Sequence, residues 1–296
     1  MSKEFLLRSL MFVPGHNTKL LEKASTTDAD VLLLDIEDSV QPNSNKQIAR
    51  NLILEKIESE SYSKFHVFPR INDRESGELL KDLIQLTVKG VDGFMYPKSA
   101  KREDVYFIDK LLETIEYEKG FEIGTFKLIP LIETAAAVLN AQEIANASPR
   151  VVGIAFGCED YITDLGGIHD NDEESLTVPR NMIAMAARAA KVVPIDTVHI
   201  KVHDLEHLEM NLKISKMLGF EGMLVLNPKE IPLVHQYFSP SEKQVEDSKK
   251  MLELSELAEA NDQGVAIMNG KFIGPPMVKF AKKILEFNNL ILRKNV

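Results

Sequence analysis

Apolar runs alternate with helix-like stretches along most of this chain. Runs at 9–13, 31–36, 65–71, 93–96, 128–132, 151–156, 195–202 and 222–226 are short and almost continuously apolar, which marks strands buried on both faces. Between and after them come amphipathic segments at 18–26, 45–60, 77–88, 102–119, 179–191, 204–218 and 228–238, with one more helical segment between the fifth and sixth runs. Eight strand–helix units in roughly 240 residues predict a TIM (β/α)8 barrel, an α/β fold, over 1–238. A doubly wound sheet is the alternative, but such sheets usually have fewer strands and no reason to stop at eight. Beyond residue 238 the pattern changes. The segment 239–296 reads as an appendage: a polar-faced helix at 242–261, a hairpin at 264–273 turned at Asn269-Gly270, and an amphipathic helix at 276–290. It adds apolar surface that a closed barrel does not need, which predicts a homo-oligomer.

The stretch 127–160 organises the chemistry. Its two strands each lead into a carboxylate, Glu133 after the first and Asp160 after the second. In parallel α/β architectures the carboxyl ends of strands are where ligands bind. Two acids from neighbouring strand ends can share a hard cation such as Mg2+ and leave positions open for a substrate. The other reading makes them N-caps of the helices that follow. The same rim collects Glu37 and Asp38 after the second strand, Arg70 after the third, Lys98 after the fourth and Asn227 after the eighth. An arginine fork matches a substrate carboxylate, although Arg70 could equally neutralise Glu37 or Asp38, and Lys98 could be a surface lysine. The set points to a small anionic acid held by Mg2+, chemistry suited to making or breaking a carbon–carbon bond.

Composition narrows the field. The net charge is −10, and no basic stripe with interleaved aromatics appears, which excludes a general nucleic-acid binder. No apolar run reaches membrane-spanning length, and the first residues lack a signal-peptide pattern. The lone cysteine, Cys158, cannot form an internal disulfide and fits a reducing, cytoplasmic setting; it reads as a small buried residue rather than a nucleophile. His199, His203 and His207 are four apart but fall in a strand and a helix, so they read as non-ligands. There is no phosphate-binding glycine motif.

The ordered motifs RSLMFVPG, DVLLLDIEDSV, PRIN, YPKS, LIET, FGCEDYITDLG and FEGMLVLNPKEI resemble the citrate lyase β-subunit family of the HpcH/HpaI aldolase superfamily, from Arg8 to Leu285. The resemblance implies a TIM barrel, often trimeric or hexameric, whose C-terminal segment reaches an adjacent subunit. It implies a Mg2+-dependent lyase acting on citryl, malyl or citramalyl thioesters carried by CoA or an acyl carrier protein. Carried over by motif, Glu133 and Asp160 are metal ligands and Arg70 holds a substrate carboxylate. Asp35, Glu37 and Asp38 order water around the metal, and Lys19 and Lys23 fall where relatives meet the thioester's phosphate-bearing arm. Asn227 stands where many relatives have histidine, which favours the citrate lyase branch and with it possible α and γ subunit partners. Gly274 stands where the family usually carries an aspartate that serves a neighbouring active site. Glycine cannot transfer a proton, so a non-catalytic barrel that binds a 2-oxo acid is the contrasting expectation.

Overall fold

The computed structural model describes residues 5–169, 173–260, 266–268 and 270–294. The chain divides into two compact units, one spanning Leu7–Gln236 and the other combining the N-terminal residues through Leu6 with the chain from Tyr237 onward. The first unit is a parallel barrel. Its strands are β1 (Ser9–Pro14), β2 (Val31–Asp35), β3 (His66–Val67), β4 (Gly93–Tyr96), β5 (Lys127–Ile132), β6 (Gly153–Phe156), β7 (Val193–Asp196) and β8 (Gly222–Val225). They run in the order β3-β2-β1-β8-β7-β6-β5-β4. All paired neighbours are parallel, as the crossover helices require. The fold predicted from the alternating pattern is the fold found.

The closure of the barrel explains one difference from expectation. The third strand was expected over 65–71, yet β3 covers two residues. Pro69 has no N–H to give to a ladder. The chain nevertheless continues beside its neighbours: Arg70 N donates to Leu34 O at 3.0 Å, and Met95 N donates to Pro69 O at 3.0 Å. Arg70 therefore bridges β2 and β4, at Asp35 and Met95. The residue that closes the barrel is also the arginine of the rim.

The strands are flanked by α1 (Thr18–Ala24), α2 (Asn45–Glu58), α3 (Leu79–Leu86), α4 (Arg102–Lys119), α5 (Ala135–Leu139), α6 (Ala141–Ala145), α7 (Cys158–Leu165), α8 (Thr177–Ala190), α9 (Leu205–Leu218) and α10 (Ile231–Phe238). The crossover after β5, read as one helical segment, is two short helices that meet at Asn140; α7, which follows β6 directly, was not among the helical segments read from the pattern. The seventh strand also differs: it lies at 193–196, not 195–202. Asp196 ends it, because its carboxylate accepts from its own neighbour's amide, Thr197 N, at 2.8 Å and from Arg180 Nε at 3.0 Å. That turn leaves His199 in a loop.

In the second unit, α11 (Glu242–Ala260) and α12 (Pro275–Lys294) accompany an antiparallel pair, β9 (Ala266–Met268) and β10 (Lys271–Ile273). Asn269 and Gly264, the predicted turn and start of this hairpin, lie outside the described residues. Its small core is Ala258, Ala266 and Ile273, against which Met251, Leu254, Met268 and Val278 pack. Among the described residues no helix is long and apolar enough to cross a membrane.

Candidate active site

A cavity of about 510 Å3 opens at the carboxyl ends of the strands. Arg70, Glu133, Asp160 and Asp38 line it, and it extends past Phe12 and Leu224 to Leu20, Lys23 and Thr27 at α1. One end is thus a charged rim and the other an apolar channel ending at a lysine.

Glu133 lies just beyond β5 and is 2% exposed. The helix that follows is capped by Thr134, whose side chain accepts from Ala137 N, and α7 is capped by Gly157. Neither Glu133 nor Asp160 is an N-cap, so that alternative is removed. Glu133 Oε1 instead accepts the amide of Lys98. Lys98 has a φ of 52°, a left-handed conformation that costs a non-glycine residue about 1 kcal/mol or more. Gly157 makes room on the other side. A Cβ there would stand 2.8 Å from Glu133 Cβ and 3.1 Å from Glu133 Oε2. Burial pushes the Glu133 carboxyl up to about 8; the Lys98 amide opposes the shift, and the charges of Glu37 and Asp160 add to it. A buried carboxylate held in place beside other acids is a site prepared for a cation.

Arg70 is placed differently from the sequence reading. Its Nε and Nη2 grip Asp35, at 2.7 Å each. That fork is therefore taken by the protein rather than presented whole to a substrate. Nη1 remains on the rim, 3.1 Å from Glu37 Oε2 and 3.6 Å from Asp38 Oδ2, and the guanidinium lies 4.7 Å above the Phe12 ring. Asp35 is buried, which works against its charge, but Arg70 and the Ser39 and Glu37 amides hold it below the usual carboxylate range. Glu37 lies 3.1 Å from Lys98 Nζ, yet neither of its buried oxygens accepts a hydrogen bond of good geometry. Burial pushes it up to about 7 against the pull of Arg70, with Asp38 adding to the rise. Lys98 is no idle surface lysine: it also pairs with Asp73 at 3.3 Å. Burial lowers its tendency to stay charged, but Glu37 and Asp73 outweigh that and hold its ammonium firmly protonated.

Other candidates separate. Lys23 lines the cavity, whereas Lys19 does not. Asn227 also stays off the lining: its side chain accepts from Lys229 N at 3.1 Å, capping the turn after β8. Cys158 is buried, and burial pushes its thiol up to about 12, consistent with a structural residue. His199 and His207 depart from expectation. Because β7 stops at Asp196, His199 is free to fold back, and the two rings lie 5.2 Å apart. Burial lowers the His199 pKa.

Asp35, expected from the resemblance to order water, holds the arginine. Other contributors were given no role from sequence: Gly157 admits the glutamate, and Phe12 floors the guanidinium. Beneath them, buried Lys46 donates to Ile36 O and Glu37 O at 3.2 Å each and to Asn72 Oδ1, fixing the turn that carries the acids. A lysine on the buried face of a predicted helix was the available signal for the last of these.

An α/β barrel with an acidic, arginine-bearing rim at its strand ends defines the class. The sequence model of the HpcH/HpaI aldolase/citrate lyase family matches residues 8–228. The citrate lyase subunit beta of Leuconostoc mesenteroides subsp. cremoris is 33% identical over 98% of this chain and 95% of its own length. An L-malyl-CoA/beta-methylmalyl-CoA lyase of Cereibacter sphaeroides is 30% identical, covering 96% of this chain and 95% of that one. Protein CitE of Mycobacterium tuberculosis, solved in complex with magnesium, acetoacetate and coenzyme A, is 25% identical with a TM-score of 0.72, over 95% of this chain and 97% of that one. The chain belongs to the HpcH/HpaI aldolase/citrate lyase family and is a lyase.

Proposed function

We propose that the chain cleaves the carbon–carbon bond of a citryl thioester, giving oxaloacetate and an acetyl thioester, with Mg2+ as cofactor. The cavity carries this reading: one continuous space joins Glu133, Asp160 and Arg70 to a largely apolar channel that reaches Lys23. A small polycarboxylate suits the charged end, and an acyl-thioester arm suits the channel. Glu133 and Asp160 would hold the Mg2+; their oxygens are hard ligands, and burial of Glu133 beside other acids favours a cation there. The bound ion supplies charge to neutralise the oxyanion that develops as the bond breaks. Arg70 presents Nη1 to a substrate carboxylate, with Asp35 and Phe12 keeping the guanidinium in place. Lys98 fixes Glu133 through its amide and Glu37 through its ammonium. In the reaction the substrate hydroxyl loses its proton and becomes the keto oxygen of oxaloacetate. The electrons of the broken bond pass to the thioester enolate, which takes up a proton at its α-carbon.

In this reading the acyl group arrives on CoA or on a carrier protein, the latter with α and γ subunits as partners. The protein works in the cytoplasm as a homo-oligomer, a trimer or hexamer. Gly274 directly precedes α12 and offers no proton, so the acid–base group of the reaction lies elsewhere. The 30% identity to the malyl-CoA lyase supports malyl- or methylmalyl-CoA as the second substrate class.

The test is oxaloacetate release from citryl-CoA by the purified chain, with Mg2+ and with chelator, beside Glu133→Ala. Release that needs both the ion and Glu133 is expected. Full activity in Glu133→Ala overturns the metal assignment. Turnover of malyl-CoA alone moves the substrate to the second class. Oxaloacetate binding without turnover of any thioester leaves a binding subunit.

A further inference from the structure

Away from the rim, Glu173, His199 and His207 come together from three separate segments. Their candidate ligand atoms all lie within 4.8 Å of one another. Glu173 precedes α8, His199 follows β7 and His207 sits in the first turn of α9. We propose that these three side chains form a second metal site, distinct from the Glu133–Asp160 rim and suited to a borderline transition-metal ion of the Zn2+ class.

The orientation of His199 and of Glu173 supports this. His199 Nε2 lies 3.0 Å from the backbone oxygen of Asp204, which can only accept. The proton therefore resides on Nε2, and the Nδ1 lone pair faces Asn211 Nδ2 at a long 3.4 Å, a contact that an entering ion would replace. A histidine that ligates a metal through one nitrogen commonly donates its other N–H to just such an acceptor. Glu173 is fixed at both oxygens: Arg180 Nη1 donates to Oε2 and Asn211 Nδ2 to Oε1, each at 2.7 Å, so an ion would take the remaining lone pairs. Its backbone has a φ of 54°, a left-handed state that a glutamate adopts only when its surroundings hold it there.

Charge points the same way. Arg180 sits between Glu173 and Asp196, all three buried. One guanidinium faces two carboxylates, and Asp196 Oδ2 is buried without a hydrogen bond. Buried charge of one sign is costly until it is balanced, so the group attracts a further positive charge. Two imidazoles and one carboxylate select a Zn2+-like ion over Mg2+, which prefers oxygen. Tetrahedral bonds of about 2.0–2.1 Å place ligand atoms about 3.3 Å apart, so side-chain rotation must draw the three inward as the ion enters. The ion would pin the loop after β7, in which Thr197 and Val198 form part of the cavity wall.

The experiment titrates metal-free protein with Co2+, a spectroscopic stand-in for Zn2+, in saturating Mg2+. One Co2+ per chain is expected, displaced by Zn2+ and showing the visible absorption of a low-coordinate ion. His207→Ala, on a partly exposed face of α9, should weaken it at least about 100-fold, more than loss of an outer partner brings. Glu133→Ala should leave it unchanged. The site is overturned if no Co2+ binds once Mg2+ is present, if His207→Ala binds as the wild type does, or if Glu133→Ala abolishes binding. Should His207→Ala fail to fold, the Co2+-shifted proton spectrum of the wild type decides. Exchangeable imidazole N–H signals support the site, and their absence overturns it.

Discussion

Two arginines in this barrel, one buried and one partly buried, stand in opposite electrostatic settings. Arg150 spreads its guanidinium over Asp109 and Glu116 and also donates to Phe126 O at 3.0 Å. Glu116 in turn accepts the amides of Gly124 and Phe126, each at 2.9 Å. Two carboxylates face this one guanidinium, but Lys110 Nζ stands 3.8 Å from Asp109 as a second cation, and none of the three side chains keeps a buried polar atom without a hydrogen bond; the cluster ties α4 to the strand layer. Arg70 grips Asp35 as firmly, but around it stand Glu37, Asp38 and Glu133, with Asp160 across the cavity and Lys98 as the second cation. Negative groups are in excess. The first arrangement is complete without a ligand, whereas the second is balanced only by an added cation. Balance, rather than burial or the presence of an ion pair, separates a structural cluster from a reactive one.

The contrast breaks most sharply at Glu133. Glu133→Gln keeps an acceptor for the Lys98 amide but removes the proposed ionic metal ligand. Lyase turnover should fall about 1,000-fold or more. The thermal midpoint of the metal-free variant should hold or rise, because a charge beside Glu37 and Asp160 is gone. Arg150→Met should do the reverse. It strands two buried carboxylates and should cost about 3–5 kcal/mol in a denaturant titration, with turnover per folded molecule unchanged. If both variants lose stability and activity together, the two regions are not distinct in kind.

How far the sequence revealed this depends on the kind of feature. The barrel was legible because buried parallel strands must be continuously apolar, and the runs at 31–36 and 93–96 could be little else. Glu133 and Asp160 were legible as acids at strand ends. The Asp35–Arg70 grip was not, because Asp35 lies within an apolar run and reads as part of a strand. Nor was the loss of Asn227 and Lys19 from the cavity, since a motif fixes a residue's place in the chain and not the direction of its side chain. The histidine pair was hidden by an error in one strand end: extending β7 to 202 sends His199 and His207 apart, and stopping it at Asp196 brings their rings to 5.2 Å.

A smaller effect sharpens the account of Arg70. Arg70→Lys retains the charge but not the two-pronged hold on Asp35 at 2.7 Å, nor the flat contact with Phe12. We expect kcat/KM to fall by about 10- to 100-fold, through a cation that stays present but is no longer fixed. Steady-state kinetics alongside Arg70→Met distinguish the cases. Equal losses in the two would mean that charge, not orientation, is what the rim requires.

The mildest test needs no substitution at the outset. In metal-free protein, Glu133 is raised from 4.5 to about 8 and Glu37 to about 7. Across pH 4.5 to 8 the native state thus binds more protons than the unfolded chain, so stability must fall as pH rises through that range. The contribution of each group is complete below the unfolded value near 4.5 and is lost on passing the folded value. Asp35, shifted downward, acts in the opposite sense but below this window. The expected decline is read as a falling thermal midpoint in chelator. Mg2+ should reduce the slope by favouring the ionised form, and Glu133→Gln should reduce it without Mg2+, leaving the share of Glu37 and of buried Glu230, which is also raised to about 7. A metal-free midpoint that stays level from pH 4.5 to 8 would show that the rim acids are already balanced, and the contrast with the Arg150 cluster would disappear.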